Sequence, residues 1–336
     1  MKNSKATIYD VAKKAGVSPA TVSRVLNGTT KVSPISRSAV IAAIKELNFI
    51  PKAEAVANAR KQYRKIGVIA PFFTETSYMQ RLRGITSVLS AMHYEVVIYA
   101  VDEIDDLNSY LEMLVSGKRV DGLIALCMRF NDAELTVLRE APFPVCFVEN
   151  EEEGFDSVTV KNLEGGQKAA EYLFSKGYRK PGFIGEKTSM EYAIAATEDR
   201  FTGFSFFFAN QGITIPDNHV WIGEFTENKL DKAINDFLKQ KDLPDCVFCS
   251  SDLIAARFIK LAKNIKINVP EQMAVLGFDD IDISHYIGLS SISQNLDESG
   301  RLAAEMVLSH IKEPTRIARK ALVPITVIER ETTGSC

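Results

Sequence analysis

The chain is short of the residues that would point to catalysis or to a stapled fold. It holds five cysteines, four histidines and one tryptophan in 336 residues. Cys127, Cys146, Cys246, Cys249 and Cys336 are odd in number and scattered in apolar surroundings. That argues against a disulfide framework and fits a reducing compartment. His93, His219, His285 and His310 show no ligand spacing, so neither a metal nor another cofactor is expected. There is no G-x-S-x-G, no H-E-x-x-H and no P-loop, and a non-enzyme is expected. No apolar run approaches the roughly 18 residues of a membrane helix. Charges interrupt Met1–Lys14, so no secretory signal is read there and the cytoplasm is the expected location. Cys246-Val-Phe-Cys249 has the spacing of a redox or metal pair, but it lies in a strand-like run. Positions i and i+3 of a strand face opposite sides, which predicts two buried structural thiols.

What is present is an uneven charge. The net charge of -3 hides a first segment, residues 1–65, with 13 Lys and Arg against three acids. That segment is +10 and the remainder is -13. Such asymmetry reads as a basic module on an acidic body.

The basic segment carries three helical patterns. Thr7 caps the first, with Asp10 at the third helical position and Ile8, Val11, Ala12 and Ala15 on one face. Gly16 ends it. Ser18-Pro19 starts the second, with Val22, Val25 and Leu26 as its apolar face and Asn27-Gly28 as its stop. Ser33-Pro34 starts the third, whose expected apolar face is Val40, Ile41, Ile44 and Leu47, and Pro51 ends it. Residues 52–65 are rich in Ala and basic residues without apolar periodicity, as in a hinge or linker. From residue 66 a βα rhythm runs to the end. Short apolar runs at 66–70, 96–99, 122–126, 145–148, 182–184, 246–249 and 273–277 alternate with amphipathic segments such as 79–92 and 253–263. This predicts parallel sheets with helices on both faces, and about 270 residues are enough for two subdomains. No tandem repeat is visible.

Two short helices joined by a Gly-containing turn in a +10 segment make a helix-turn-helix, whose second helix enters the major groove. Ser18, Thr21, Ser23 and Asn27 suit phosphates, and Arg24 can present its fork to guanine O6 and N7. A small three-helix bundle for protein contact is the alternative.

Residues 7–28, from Thr7-Ile8-Tyr9-Asp10-Val11-Ala12 to Val25-Leu26-Asn27-Gly28, resemble the DNA-binding signature of the LacI/GalR family of bacterial transcription regulators. The likeness extends over the chain. Leu47-Asn48-Phe49-Ile50-Pro51 resembles the entry to the family's hinge helix, and 64–85 its first core strand and helix. Val275-Leu276-Gly277-Phe278-Asp279-Asp280 resembles the strand and turn that bring an Asp to its cleft, and Arg330-Glu331-Thr332-Thr333 its ending. The resemblance implies an all-α helix-turn-helix headpiece (1–50), a hinge (51–65) and a periplasmic-binding-protein-like core (66–336). The core would be two doubly wound α/β subdomains, about 66–163 with 295–324 and about 164–293 with 325–333. It further implies a homodimer on near-palindromic operator DNA. Tetrameric members carry a C-terminal heptad helix, and no such pattern is seen here.

In the family, the two residues after the second helix's Ser contact bases. Here they are Pro19 and Ala20, which offer only apolar contact, for example to a thymine methyl. Arg24 is then left with most of the polar readout. Thr7 and Ala55 belong to the implied DNA-contacting set. The hinge departs from the pattern: Lys52 replaces Asn, and Asn58 stands where a Leu wedges into the minor groove. Either Val56 or a shifted register supplies the wedge, or the operator is bent less and read by hydrogen bonds.

For the cleft, the resemblance implies a small-molecule effector, with a carbohydrate as the expected class. Arg200 stands where the family Arg grips hydroxyls or a carboxylate, and Asp279 where the Asp accepts hydrogen bonds. Ser251 replaces an effector-contacting Asn, Phe225 and Tyr78 match aromatics, and Gln294 sits at a crossover. Against these roles stand plainer ones: Asp279 as a turn residue, Phe225 as core and Arg200 in a mid-loop ion pair. Departures gather in the cleft, with Glu75-Thr76-Ser77-Tyr78 for Asn-Pro-aromatic-aromatic and Lys161 for an Asp. Gly165-Gly166 reads as close packing rather than a phosphate cradle. The expectation is a DNA-binding repressor switched by a small molecule. The alternatives are a regulator governed by a protein corepressor, a solute-binding protein, or a nucleotide-using α/β enzyme.

Overall fold

The structure, a computed structural model, describes residues 6–26, 32–47, 49, 63–117, 119–188, 190–194, 196–224 and 227–334. The chain forms two compact units, Met1–Lys65 with Arg119–Asp121, and Ile66–Lys118 with Gly122–Cys336.

In the first unit lie α1 (Ile8–Ala15), α2 (Pro19–Leu26) and α3 (Pro34–Glu46). Thr7 and Asp10 form a full capping box: Thr7 N donates to Asp10 Oδ2 at 2.8 Å and Asp10 N donates to Thr7 Oγ1 at 3.4 Å. Gly16 closes α1 at φ 65°, a left-handed conformation that glycine adopts without strain. Val11, Ala12, Val22, Val25, Val40 and Ala43 form the core, with Ile8, Leu26, Ile44 and Leu47 packed around it. Ile41 corrects the expected face of α3, being 55% exposed. Val40, Ala43, Ile44 and Leu47 already fill the i, i+3, i+4, i+7 stripe, and a residue one step from Val40 points about 100° away.

In the second unit the rhythm gives β1 (Lys65–Ala70), α4 (Thr76–Ala91), β2 (Glu95–Ala100), α5 (Ile104–Gly117), β3 (Gly122–Leu126), α6 (Asp132–Arg139), β4 (Val145–Val148) and β5 (Asp156–Thr159). Then come α7 (Asn162–Ser175), β6 (Pro181–Lys187), α8 (Ala196–Asn210), β7 (Val220–Glu224), α9 (Glu227–Leu238), β8 (Cys246–Cys249), α10 (Asp252–Asn264), β9 (Ala274–Asp279), α11 (Asp282–Tyr286) and β10 (Ser290–Ser293). The chain ends through α12 (Leu296–Lys312), β11 (Lys320–Leu322) and β12 (Thr326–Ile328). One sheet has the order β11-β5-β4-β3-β1-β2 and the other β12-β10-β9-β8-β6-β7. Strands β5, β10 and β11 are each followed by a passage to the other sheet. Strand β12 runs antiparallel to β10, while β6, β7, β8, β9 and β10 pair in parallel.

Each half is clamped by a helix pair that approaches through glycine. A Cβ on Gly84 would fall 1.9 Å from the Asp297 carbonyl oxygen, and one on Gly300 2.0 Å from that of Arg81. Cβ atoms on Gly166 and Gly203 would fall 1.8 Å and 1.9 Å from the carbonyl oxygens of Arg200 and Leu163. So α4 meets α12, and α7 meets α8, at backbone contact. Gly166 packs on a helix, whereas its neighbour Gly165 faces the Phe278 ring of the sheet. Cys246 and Cys249 are both fully buried, in two different apolar clusters on opposite faces of β8.

Candidate functional site

In α2, the Ser18 hydroxyl accepts from the Thr21 N–H at 3.2 Å and lies 3.0 Å from the Thr21 hydroxyl. Ser18 is thus the N-cap, with Pro19 in the first helical turn. Val22 and Val25 turn inward, while Ser18, Pro19, Ala20 and Arg24 are exposed and Thr21 and Ser23 half-buried. Ala20 and Arg24, four residues apart, share one outward face. Asn27, Ala55 and Asn58 lie outside the described residues, as do Lys52 and the alternative wedge Val56.

In the second unit a cavity of about 410 Å³ opens between the carboxyl ends of the two sets of strands. This is where α/β sheets place their ligands. Phe72, Glu75 and Tyr78 follow β1, Cys127 follows β3 and Glu149 follows β4. From the other half come Glu186 and Lys187 at the end of β6, Arg200 on α8, Glu224 ending β7 and Asp279 ending β9. Four of these residues have left-handed backbones: Phe72 (φ 49°), Cys127 (53°), Glu149 (65°) and Asp279 (114°). Such conformations cost free energy in non-glycine residues and cluster at functional sites.

Six side chains close a ring at the cavity wall. Arg81 Nη2 donates to Glu149 Oε1 at 2.8 Å and to Gln294 Oε1 at 3.1 Å. Gln294 Nε2 donates to Asp279 Oδ1, which lies 3.7 Å from Arg200 Nη1. Arg200 Nε donates to Asn162 Oδ1 at 3.0 Å, and Asn162 Nδ2 donates to Glu149 Oε2 at 3.3 Å. Each half therefore contributes one arginine and one acid, and the two amides stand at the passages between halves. Arg200 also donates to the Ser250 carbonyl at 2.5 Å and stacks 3.6 Å over Phe278. It sits in α8, not in a mid-loop ion pair.

Burial drives the electrostatics. It raises the Asp279 carboxyl despite Arg200 and Arg81. It pushes Glu186 up to about 7, with Glu75 and then Asp279 adding to the shift. Burial, and then Asp279, also raise Glu75. The Cys127 thiol beside Arg81 is pushed up to about 11 by burial, so it is no nucleophile at neutral pH.

Residues 190–194 border the cavity through Met190 and Ile194. After β6, Ala193 bridges to Met128. Arg129 N donates to the Tyr192 carbonyl at 2.8 Å, Ile194 N to the Cys127 carbonyl at 3.2 Å, and the Tyr192 hydroxyl to the Asp102 carbonyl at 2.7 Å.

Of the sequence-derived cleft residues, Tyr78, Arg200, Asp279 and Gln294 meet at this cavity. Ser251 does not line it. It caps α10, accepting from Ile254 N at 3.5 Å, and lines a smaller recess of about 30 Å³ that shares Glu75, Ser77, Glu186 and Asp279 with the cavity. Phe225 lies outside the described residues. Arg81, Glu149, Glu186 and Asn162 were not singled out for the cleft from sequence. The spacing Arg81-x-x-Gly84, echoed by Arg200-x-x-Gly203, was the signal available. Among the described residues, no group of three or more His, Cys, Asp or Glu side chains could hold a metal ion. No described helix is long and apolar enough to cross a membrane.

Comparison with known proteins agrees with this geometry. Residues 7–52 match the model of bacterial regulatory proteins of the lacI family, and residues 170–333 that of the periplasmic binding protein-like domain. The HTH-type transcriptional repressor PurR from Klebsiella pneumoniae subsp. pneumoniae is 30% identical over 332 residues, covering 97% of this chain and 96% of its own. A lacI-family transcriptional regulator from Silicibacter pomeroyi superposes with a TM-score of 0.84 at 25% identity, over 98% of this chain and 100% of its own. The transcriptional regulator CelR in complex with cellobiose superposes with a TM-score of 0.70 at 26% identity, over 97% and 99%. The chain therefore belongs to the lacI family of bacterial regulatory proteins, DNA-binding transcription regulators with a helix-turn-helix headpiece and a periplasmic-binding-protein-like core.

Proposed function

We propose that this regulator represses transcription in the cytoplasm as a homodimer on a near-palindromic operator, and that a small polyhydroxylated effector in the cleft switches it. The observation that carries this reading is the ring of Arg81, Glu149, Gln294, Asp279, Arg200 and Asn162 beside a cavity of about 410 Å³. A ligand that hydrogen-bonds to both arginine–acid pairs favours one arrangement of the halves over another. Only such unequal affinity moves an equilibrium, and the coupling to DNA is reciprocal. The cellobiose-bound relative supports a carbohydrate here. The domain limits proposed are 1–50, 51–65 and 66–336, with Asn27, Ala55 and Asn58 as DNA contacts beside Thr7, Ser18, Pro19, Ala20, Thr21, Ser23 and Arg24. Phe225 and Ser251 are proposed at the cleft. No catalysis is proposed: the one thiol lining the cavity, Cys127, is pushed up to about 11 by burial.

The test is a thermal-shift screen of sugars and nucleobases, followed by operator binding with each hit. A true effector moves both melting and operator affinity. A hit that stabilises the protein while operator affinity stays put contradicts the switch. On the DNA side, Arg24→Ala should weaken specific binding by about 1–3 kcal/mol at one base position. Unchanged preference among operator variants would remove Arg24 from base readout.

A further inference from the structure

We propose that the effector carries a protonated primary amine, seated in a water-sized recess between Glu75, Glu186 and Asp279, on a polyhydroxylated body that fills the larger cavity. This rests on the reading of the cavity as the effector site.

The recess measures about 30 Å³ and is walled by those three acids with Ser77, Ser251, Leu253 and Ile281. Glu75, Ser77, Glu186 and Asp279 also line the main cavity, so the two spaces adjoin. A volume of this size holds one water or one ammonium group. The ring itself is close to neutral, since Arg81 and Arg200 are balanced by Glu149 and Asp279. Glu224 is paired with Lys229. Glu75 and Glu186 remain, and neither carboxylate has a hydrogen-bonding or ion-pairing partner among the described residues. Lys187 lines the main cavity but is exposed and does not reach the recess.

Two half-buried acids without a cation repel each other and hold on to a proton. Glu186 shows this in its shift to about 7, caused by burial and then by Glu75 and Asp279, with Arg200 offsetting part. An ammonium group offsets the charge of Glu75 and Glu186 and brings three N–H donors to the recess. Among the described residues no group of three or more His, Cys, Asp or Glu side chains could hold a metal ion. The wall also holds an unfilled donor: Arg81 is 3% exposed and its Nε has no acceptor. A hydroxyl oxygen of the ligand body matches that donor, whereas a phosphate or carboxylate ligand would meet the surplus negative charge of the recess.

The test uses the full-length protein, titrated with glucosamine and galactosamine against glucose, galactose and the two N-acetyl amino sugars. An amino sugar should bind at least about tenfold tighter than its parent, about 1.4 kcal/mol. The preference should grow as pH rises from about 6 toward 7, where Glu186 gives up its proton, and should vanish in the double variant E75Q/E186Q. A neutral sugar that binds as tightly as its amine, or a preference that survives in the double variant, overturns the amine. If that neutral sugar also moves operator affinity, the effector reading stands without the amine. Silence of all six sugars, with operator affinity unmoved, counts against both.

Discussion

In the half built on β1 to β5, Arg81 is gripped by Glu149 at 2.8 Å, and both side chains are almost wholly buried. In the half built on β6 to β10, Arg200 stands 3.7 Å from Asp279 and is held mainly by the Phe278 ring and the Ser250 carbonyl. The surrounding frame is the same in both: Arg-x-x-Gly on one helix, a glycine partner on the other, an acid at a strand end and an amide at a passage between halves. What differs is how the charge is held. The first half spends its acid on its own arginine. The second keeps Asp279 committed to a single short amide contact, available to a ligand. A shared architecture thus does not mean shared energetics, and the stricter pair belongs to the scaffold while the looser one faces the chemistry.

Removing each arginine is the strongest way to break this contrast. Arg81→Met strands Glu149 as a buried unpaired carboxylate and should cost about 3–5 kcal/mol in urea unfolding. Arg200→Met should cost less, about 1–3 kcal/mol, because Asp279 already has a raised pKa and keeps Gln294. Equal losses would erase the difference between the halves.

The glycine clamps test the other side, the likeness. Gly300→Ala and Gly166→Ala each push a methyl against a backbone carbonyl, at 2.0 Å and 1.8 Å, which cannot swing aside as a side chain can. Each should destabilise by about 2–3 kcal/mol, and by similar amounts. Denaturant midpoints that differ widely would show that the two clamps are not equivalent.

The smallest expected effect sharpens the picture of the cleft. Glu186 holds its proton more tightly folded, at about 7, than unfolded, at 4.5. Its stabilising contribution is therefore fully present below pH 4.5 and is lost as pH rises through about 7. Glu186→Gln should stabilise the unliganded protein by about 1–2 kcal/mol at pH near 8 and change little at pH near 4. Asp252, raised to about 7 by burial and then Asp279, will keep part of the slope. A slope identical in wild type and variant would rule out a strained carboxyl at position 186.

The sequence discloses those parts of the molecule that repeat a local pattern. The capping box of Thr7 and Asp10, the Ser18-Pro19 start and the apolar strands β3, β4 and β8 could be read directly. Strands β5 and β10 were not, because Asp-Ser-Val-Thr and Ser-Ser-Ile-Ser lack apolar runs. Two of their buried polar side chains find partners far along the chain: Asp156 accepts from Arg316 Nη1 at 2.8 Å, and the Ser290 hydroxyl lies 2.8 Å from that of Thr333. The cleft divides likewise. Arg200 and Asp279 lie in recognisable stretches, whereas Glu149 and Glu186 are acids at strand ends, Glu149 beside the run Glu151-Glu152-Glu153, and nothing in their neighbourhoods announces that the fold will bring them together. Arg81 resembles any basic residue on an amphipathic helix until its burial is seen.

The left-handed backbones of Phe72, Cys127, Glu149 and Asp279 bear on how readily this cleft can be retuned. The sheets hold these residues against their own conformational preference, so the peptide path at the cleft is set from outside it. Replacing the side chains should then leave the floor of the site in place, which lets new ligand preferences arise without rebuilding the domain. A library randomised at these four positions and sorted for stability alone should fill with Gly, Asn and Asp and shed Val, Ile and Thr. Sorted instead for a new ligand, it should accept larger side chains at a measurable loss in melting temperature.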